Sequence, residues 1–534
     1  MHLGKKLVSV MLSAAMVVST MLASTVKNVV SSNFNTTVKA ATTSTFDNLD
    51  QEQIVASMGA GWNLGNQLEA SVNGTPSETA WGNPTITENM IKAVKKAGFS
   101  TVRIPVSYLN YIGGAPNYTV NSAWLDRIQQ IVDMCINNGL YAVINMHGDG
   151  YTSVNGSWLL CANSDQTAIN AKYEAVWKQI ASRFKNYDEH LIFESMNEEF
   201  NGTWAVPDRT AYSHINTYNQ IFVDTVRQTG GNNAQRWLLI PGWNTDIEYT
   251  VGDYGFHLPT DNYCSVSGKK RIMISVHYYS PWEFCGQEDG SVTQWGSGAD
   301  SSKTASWGDE SFMKTMFNKM YSKFVKAGYP VVIGEYGSID KSSCDSKNPS
   351  FRCQYAKKVC SYAKTYGMVP VIWDNGYNGT YGFGIFDRNS CTVTQHGIID
   401  AIMSVYPASS QTTTSPSPSP STVVSPTPST GIQTKLPSGI KCEYSVVSDW
   451  GSSFQGQIVL TNNSTKTYSG WTLSFDYNST INSLWGAELA SQTGTKVVVT
   501  NACWDTSLTP GASVTISFTA AGTGKNAPTN YSFK

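Results

Sequence analysis

Two glutamates in this sequence have the chemistry and the surroundings that acid-assisted hydrolysis requires. Glu198 follows the apolar run 191–193, and Glu335 follows the apolar run 331–333. An apolar run that leads into a carboxylate is typical of a buried strand whose end faces a cleft. Cleavage of a glycosidic bond uses two such groups, one as proton donor and one as nucleophile or base. Either glutamate alone would more simply be a salt-bridged or solvated strand end, but the pair indicates a hydrolytic site.

Six further side chains stand at the ends of predicted strands and complete the candidate site, and one of them, Asn197, shares its strand end with Glu198. They are Arg103, His147, Asn197, His277, Tyr279 and Trp373. We expect Arg103 to keep one glutamate ionised as a nucleophile, and burial to keep the other protonated. The alternatives are structural: a simple salt bridge for Arg103 and core packing for His147 and Trp373. A zinc site at His147 and His277 lacks a suitably spaced third ligand, so we expect no metal and no cofactor.

The elements that must position these residues alternate between short apolar strands and longer amphipathic helices from Phe46 to Pro407. The pattern predicts eight strand–helix units with a weak fifth helix; the fourth and seventh helices are predicted at 212–228 and 355–366. Such alternation predicts a parallel sheet, and eight units in one domain predict an α/β fold, a closed (β/α)8 TIM barrel. An open doubly wound sheet is the alternative, but no glycine-rich dinucleotide fingerprint favours it.

The composition indicates a neutral ligand and excludes an electrostatic case for nucleic acid. Only 14% of the 534 residues are charged, the net charge is -2, and aromatic residues reach 12% with 16 Trp. Flat, uncharged side chains in excess suit the apolar faces of sugar rings, although many of these rings must also be core. We therefore expect a polysaccharide partner, no nucleic acid and no membrane, for a chain that acts as a monomer.

The chain divides into four predicted segments. Residues 1–40 resemble a secretory signal, with Lys5 and Lys6 before an apolar stretch and a small-x-Ala cleavage site ending at Ala40; cleavage after Ala23 is the alternative. Residues 41–407 form the predicted catalytic domain. Residues 408–437 are a Ser/Pro/Thr-rich linker that cannot bury a core. In residues 438–534, short alternating stretches predict a small all-β sandwich. In a secreted chain, some of the ten Cys should form disulfides.

Five motifs between Phe46 and Pro407 resemble those of glycoside hydrolase family 5, and its endo-β-1,4-glucanases most of all. The motifs are Gly61-Trp62-Asn63-Leu64-Gly65-Asn66, Thr101-Val102-Arg103-Ile104-Pro105, Ile192-Phe193-Glu194-Ser195-Met196-Asn197-Glu198, His277-Tyr278-Tyr279 and Ile333-Gly334-Glu335-Tyr336-Gly337. The resemblance implies a (β/α)8 barrel and a retaining double displacement, with Glu198 as acid/base and Glu335 as nucleophile. It also implies that the six strand-end residues line the subsite around the scissile bond.

The sequence departs from the family pattern at two positions. Glu199 replaces the proline that usually follows the Asn-Glu pair, and Gly148 stands where a second His or an acid usually follows His147. These departures bear on substrate fit and pH optimum. Because side chains alternate along a strand, we expect Glu199 to point away from the cleft.

The C-terminal segment resembles a family 2 carbohydrate-binding module. The matching stretches include Asp449-Trp450-Gly451, Ser483-Leu484-Trp485 and Cys503-Trp504-Asp505. The resemblance implies that Trp450, Trp485 and Trp504 form a flat strip against crystalline polysaccharide, whereas Trp471, inside an alternating strand, is predicted to be core. Cys442 and Cys503 are a candidate disulfide pair.

These observations together predict a secreted, extracellular endo-β-1,4-glucanase, a cellulase, with a tethered cellulose-binding module. The same machinery acting on xyloglucan, xylan, mannan or mixed-linkage β-glucan is the nearest alternative. A non-catalytic polysaccharide-binding protein is the alternative from another class, and the presence of both carboxylates argues against it.

Overall fold

The computed structural model describes residues 46–266, 268, 270–407, 436–449, 453–502, 507–521 and 527–534. Within them, a closed parallel barrel lies in the N-terminal part and an antiparallel all-β unit in the C-terminal part. The predicted signal peptide and nearly all of the predicted linker fall outside the described residues. The boundaries between the four segments therefore stay predictions.

The barrel consists of eight parallel strands, which confirms the fold class predicted from the sequence. The strands are β1 (Gly61–Asn63), β2 (Thr101–Ile104), β3 (Tyr141–Ile144), β4 (Leu191–Glu194), β5 (Leu238–Pro241), β6 (Ile272–Tyr278), β7 (Val331–Tyr336) and β8 (Met368–Ile372). The barrel closes because β1 pairs with both β2 and β8. This closure excludes the open doubly wound sheet.

Helices surround the barrel and alternate with its strands. They are α1 (Gln51–Met58), α2 (Glu88–Lys96), α3 (Ser122–Asn137), α4 (Thr167–Phe184), α5 (Arg209–Gln228), α6 (Ile247–Val251), α7 (Trp282–Cys285), α8 (Glu310–Lys323), α9 (Asn348–Thr365) and α10 (His396–Met403). The weak fifth helix of the sequence pattern is α6, a single five-residue segment after β5.

Two helices begin earlier than their apolar periodicity predicts, because polar residues and proline set their N-termini. The Asp208 side chain caps α5 by accepting from the Ala211 N–H, so α5 starts at Arg209. In α9, Pro349 lies in the first turn, where its missing N–H costs no hydrogen bond. Both helices therefore begin before the first residue that their apolar periodicity predicts, which is 212 for α5 and 355 for α9.

A helix that the sequence analysis did not predict, α1, packs at the N-terminal end of the barrel. Its residues Ile54 and Met58 belong to one buried cluster with inward-facing strand residues such as Val143, Leu239 and Val332. A capping box between Asp50 and Gln53 fixes the start of the helix. Because α1 shares a core with strands from around the whole barrel, the opposite, C-terminal end is the one available for a site.

The C-terminal unit contains two four-stranded antiparallel sheets, as expected for a β-sandwich. One sheet has the order Ile440–Asp449, Ser453–Asn462, Ser513–Ala521 and Ile481–Trp485; the other has the order Glu488–Thr493, Lys496–Thr500, Thr472–Asp476 and Thr529–Phe533. Side chains such as Phe454, Leu473 and Phe518 form its core. Trp471 is buried in this core, which confirms its predicted packing role.

Two further findings concern the described residues as a whole. No helix among them is both long enough and apolar enough to cross a bilayer. The nine cysteines within them, including Cys442, all carry free thiols, so the expectation of disulfides is wrong for this part of the chain. Cys503, the predicted partner of Cys442, lies outside the described residues.

Candidate active site

Arg103 organises the C-terminal mouth of the barrel. Its side chain is fully buried and extends from the end of β2. The guanidinium Nε donates to Glu194 Oε2 at 2.7 Å, and Nη1 donates to Glu335 Oε1 at 2.7 Å. The same Nη1 donates to Asn63 Oδ1 at 3.0 Å, and Nη2 donates to Asn197 Oδ1 at 2.6 Å. A buried cation is tolerated when carboxylates and hydrogen bonds surround it in this way, so Arg103 fixes the positions of four neighbours at once.

Glu194, the last residue of β4, is a site residue that the sequence analysis did not identify. Besides Arg103, its carboxylate accepts from Asn145 Nδ2 at 3.0 Å and from Ser275 Oγ at 2.7 Å. It therefore holds the guanidinium at Nε, whereas Glu335 holds it at Nη1. The only sequence signal was an acid at the end of an apolar strand. The Asn197-Glu198 pair three residues later was chosen as the candidate instead.

A bulge between β6 and β7 places the second glutamate. Val276 is opposite Ile333, but His277 is opposite Glu335, so Gly334 has no partner on β6. A Cβ at position 334 would lie 3.2 Å from His277 Nε2, which leaves little room for any residue but glycine. The bulge thus aligns His277 with Glu335.

Glu198 and Glu335 face each other across His277. One carboxylate oxygen from each glutamate and one ring nitrogen of His277 all lie within 4.8 Å of one another. The His277 Nδ1 atom lies 2.6 Å from Glu198 Oε1 and 3.7 Å from Glu335 Oε2. The hydroxyl of Tyr279 donates to Glu335 Oε2 at 3.1 Å. One oxygen of each carboxyl group thus lies within 4.8 Å of the other, which favours direct attack by one of them, since an intervening water needs the carboxyl groups about 6.5–9.5 Å apart.

Tyr151 is the second site residue that the sequence analysis missed. It follows a short turn after β3, and its hydroxyl donates to Glu198 Oε2 at 2.9 Å. The same hydroxyl accepts from Asn197 Nδ2 at 2.6 Å. Burial and the nearby Glu198 carboxylate raise the pKa of Tyr151 well above its ordinary value, so the hydroxyl keeps its proton and acts as a donor. No motif or spacing distinguishes this tyrosine among the 27 in the sequence.

The protonation preferences of the free site are opposite to those expected from the sequence. Burial raises the pKa of Glu335 above its ordinary value, against the lowering by His277 and Arg103. Burial also raises the pKa of Glu198, but His277, Tyr151 and Arg103 together outweigh burial and bring that pKa below its ordinary value. The difference arises because His277 contacts Glu198 more closely than Glu335, a proximity that the sequence does not reveal.

His147 and Trp373 form one wall of the site. Their rings stack with centroids 6.1 Å apart and an angle of 11° between their planes. Burial, Arg103 and His277 hold the pKa of His147 well below its ordinary value, so its imidazole is neutral. Trp373 is partly buried and also packs against Gly65. All eight barrel residues predicted for the site thus lie at the C-terminal ends of the strands or just beyond them.

Comparison with known proteins confirms the family that the sequence motifs of this domain resemble. Residues 66–379 match the family model described as cellulase, glycosyl hydrolase family 5. The chain belongs to glycoside hydrolase family 5. Residues 440–534 match the model of a cellulose-binding domain, so this family 5 enzyme carries a second, carbohydrate-binding unit.

Several relatives of this family 5 chain are named for their activities. Endoglucanase A of Paenibacillus barcinonensis is 62% identical over 359 residues, which is 66% of this chain and 90% of that protein. Endoglucanase A of Clostridium longisporum is 31% identical over 515 residues, 89% of this chain and 90% of that protein. The structure of a family 5 xyloglucanase from Paenibacillus pabuli is 63% identical with a TM-score of 0.66, covering 66% of this chain and 100% of that one.

The two departures from the family 5 pattern have local structural consequences. The Gly148 N–H donates to Ser107 Oγ at 2.9 Å, and a Cβ there would lie 2.6 Å from that oxygen. Glu199 is buried, and a Cβ on Gly150 would lie 1.6 Å from its Oε1. Burial and Asp149 raise the pKa of Glu199 well above its ordinary value, so this carboxyl is neutral.

The aromatic strip predicted for the cellulose-binding domain falls mostly outside the described residues. Trp450 and Trp504 lie outside the described residues, and Trp485 is described only as the last residue of strand Ile481–Trp485. The sheet that ends at Trp485 contains Ser453–Asn462, the strand that begins just after Trp450.

Proposed function

We propose that this protein is a secreted endo-β-1,4-glucanase that cleaves internal bonds of cellulose by a retaining double displacement. The observation that carries the proposal is the approach of Glu198 and Glu335 to within 4.8 Å around His277. Retaining enzymes place their carboxyl groups roughly 5 Å apart. Glu335 is the nucleophile, and Glu198 is the general acid and then the general base.

In the first step, a Glu335 oxygen bonds to the anomeric carbon while the bond from that carbon to the glycosidic oxygen breaks. Glu198 gives its proton to the departing oxygen and becomes a carboxylate. Arg103 and Tyr279 orient Glu335 through bonds of 2.7 and 3.1 Å. The hydrogen bond from Tyr151 to Glu198 strengthens as negative charge develops on the Glu198 carboxylate, which lowers the activation barrier of this step.

In the second step, water replaces the leaving sugar. Glu198 takes a proton from this water, whose oxygen attacks the anomeric carbon and releases Glu335 as a carboxylate. Two inversions at one carbon give a product with the starting β configuration. Asn197, whose amide Nδ2 has one N–H beyond the one given to Tyr151, holds the sugar 2-hydroxyl.

Substrate binding places the proton where the first step needs it. The side chain of Glu198 is 26% exposed in the free site, whereas that of Glu335 is 7% exposed. A sugar that covers the site removes more water from Glu198 and so raises its pKa. Because the two carboxyl groups are close, the proton that settles on Glu198 leaves Glu335 ionised beside Arg103.

The cellulose-binding domain and the predicted signal support an extracellular role on solid substrate. We infer that the domain holds the enzyme at the cellulose surface through the strip of Trp450, Trp485 and Trp504. The Ser/Pro/Thr-rich linker then keeps the catalytic barrel tethered to that surface and raises its local concentration there. The protein acts as a monomer in this account.

Xyloglucan is the second candidate substrate, because a family 5 protein that is 63% identical over its whole length is a xyloglucanase. Initial rates on carboxymethylcellulose, xyloglucan, xylan, mannan and mixed-linkage glucan separate the candidates. A higher kcat/KM on xyloglucan than on every unbranched glucan would replace cellulose as the preferred substrate.

The catalytic assignment has its own test. Glu335→Gln keeps the shape of the side chain but removes the nucleophile, so turnover should be abolished while the thermal unfolding temperature stays close to that of the parent. Glu198→Ala should slow both steps, but its effect on the first step should be small for a leaving group that needs no proton. Retained turnover in Glu335→Gln would contradict the assignment.

A further inference from the structure

The loop between β6 and α8 forms a cavity that lies apart from the two glutamates. The cavity has a volume of about 370 Å³, and its lining includes Pro281, Trp295, Trp307, Asp309, Glu310 and Ser311. Neither Glu198 nor Glu335 contributes to it. We call it the Trp307 cavity. Pro281, which lines the cavity, is two residues along the chain from Tyr279, the tyrosine that contacts Glu335.

Trp307 is exposed in the cavity wall yet fixed in position. Its side chain is 44% exposed, an unusual state for the largest apolar residue. The indole Nε1 donates to both carboxylate oxygens of Glu283 at 3.1 Å. The ring of Phe312 meets the indole edge-on with centroids 5.6 Å apart. An indole held in this way offers a flat face without the entropy cost of immobilising it on binding.

Two buried polar residues from the β7–α9 connection hold the loop itself. Asp345 accepts from Thr293 Oγ1 at 2.8 Å, from Gln294 Nε2 at 2.6 Å and from Lys303 Nζ at 3.0 Å. Lys341 Nζ donates to the backbone carbonyls of Glu283 at 2.6 Å and Val292 at 2.8 Å. The cavity is therefore preformed, which is typical of a binding site.

The chemistry of the lining selects a neutral, hydroxyl-rich ligand. Ser311 contributes a hydroxyl and Asp309 and Glu310 contribute carboxylates, and no Lys or Arg lines the cavity. One oxygen of Glu310 is paired with Lys358 at 2.8 Å, and Asp309 Oδ1 accepts from the Phe312 N–H at 2.9 Å, which leaves the second oxygen of each carboxylate for a ligand. Anions are disfavoured by this charge. A pyranose ring has an apolar face for the indole and hydroxyl groups that can donate to carboxylates.

We propose that the Trp307 cavity binds one pyranose ring of the polysaccharide, beyond the sugars next to the scissile bond. The inference rests on the proposed function, because it assumes that the substrate is a β-glucan chain. It adds a place where a long or branched chain gains contacts that a short substrate does not make.

The test compares Trp307→Ala with the parent, both as the full chain, on hydroxyethylcellulose, xyloglucan and nitrophenyl cellobioside. Losing one stacking face should raise KM for at least one of the two polymers about 3- to 10-fold. The kinetics on nitrophenyl cellobioside should not change, because this substrate is too short to reach the cavity. Trp307→Phe, which keeps an aromatic face, should restore most of the polymer affinity.

Two more variants keep the test decisive. Ser311→Trp fills the cavity from the first turn of α8 and should reproduce the loss even if Trp307→Ala folds poorly. Tyr263→Ala removes another exposed aromatic ring, from the segment that leads into β6 at the opposite end of the barrel, and should change nothing. Parent-like KM on both polymers for Trp307→Ala and Ser311→Trp would overturn the inference, and so would an equal loss on nitrophenyl cellobioside. Failure of the parent itself on all three substrates would instead contradict the proposed function.

Discussion

The role of Tyr151 can be tested by removing a single oxygen atom. In Tyr151→Phe, Glu198 loses the donor that lies 2.9 Å from its Oε2, and Asn197 loses the acceptor of its 2.6 Å bond. A hydrogen bond to a charged group contributes about 1.5–3 kcal/mol. Because Glu198 becomes negative in the first step, we expect kcat/KM to fall about 10- to 100-fold on polysaccharide.

The same change has a defined effect on pH dependence. The Tyr151 hydrogen bond lowers the pKa of Glu198, so its loss raises that pKa. Activity requires protonated Glu198, and its deprotonation gives the alkaline limb of the profile. That limb should therefore move to higher pH in Tyr151→Phe, even though the maximal rate is lower.

Initial rates across pH on carboxymethylcellulose and on dinitrophenyl cellobioside provide the assay. The loss should be smaller on dinitrophenyl cellobioside, whose leaving group needs no proton. Tyr173→Phe is the matched control, since its buried hydroxyl donates at 2.7 Å to the backbone oxygen of Ser195 and not to a catalytic carboxylate. An unchanged rate, or an alkaline limb that moves to lower pH, would refute the reasoning.

Three further predictions follow from other parts of the structure. Gly150→Ala should lower the free energy of unfolding by about 1–3 kcal/mol, since the new Cβ would meet the Glu199 carboxyl, and adding Glu199→Ala should restore much of the lost stability. Additive losses of the two changes in denaturant unfolding would contradict this contact. The alkaline limb of kcat should lie at higher pH than that of kcat/KM, because bound sugar raises the pKa of Glu198; coincident limbs would argue against this proton placement. Truncation after Ser409 should preserve activity on soluble glucan and lower it on crystalline cellulose, and equal binding of both forms to insoluble cellulose would exclude the proposed tether.

The barrel and most of the site were predictable because their signals are local. An apolar run followed by a polar residue marks most of the strand ends, and eight such units can close in only a few ways. Glu198, Glu335 and Arg103 all stand at such ends. The sequence analysis did not predict helix α1, because its two buried residues, Ile54 and Met58, are too few to give a strong periodic signal.

Contacts between distant segments account for what the sequence did not reveal. Tyr151 donates to Glu198, 47 residues away, and Glu194 acts through Arg103, 91 residues away. The protonation preference of the two glutamates depends on the 2.6 Å contact of His277 with Glu198. Glu199 is similar: its replacement of proline was evident in the sequence, but its burial against Gly150 depends on how β3 and β4 adjoin.

The anomeric configuration of the first product tests the central claim most directly. Proton NMR during hydrolysis of cellohexaose distinguishes the anomers before they interconvert. The short separation of Glu198 and Glu335 predicts that the β-anomer appears first and the α-anomer only later, by mutarotation. An initial α-anomer would mean that water attacks the sugar directly, and it would contradict the assignment of Glu335 as the nucleophile.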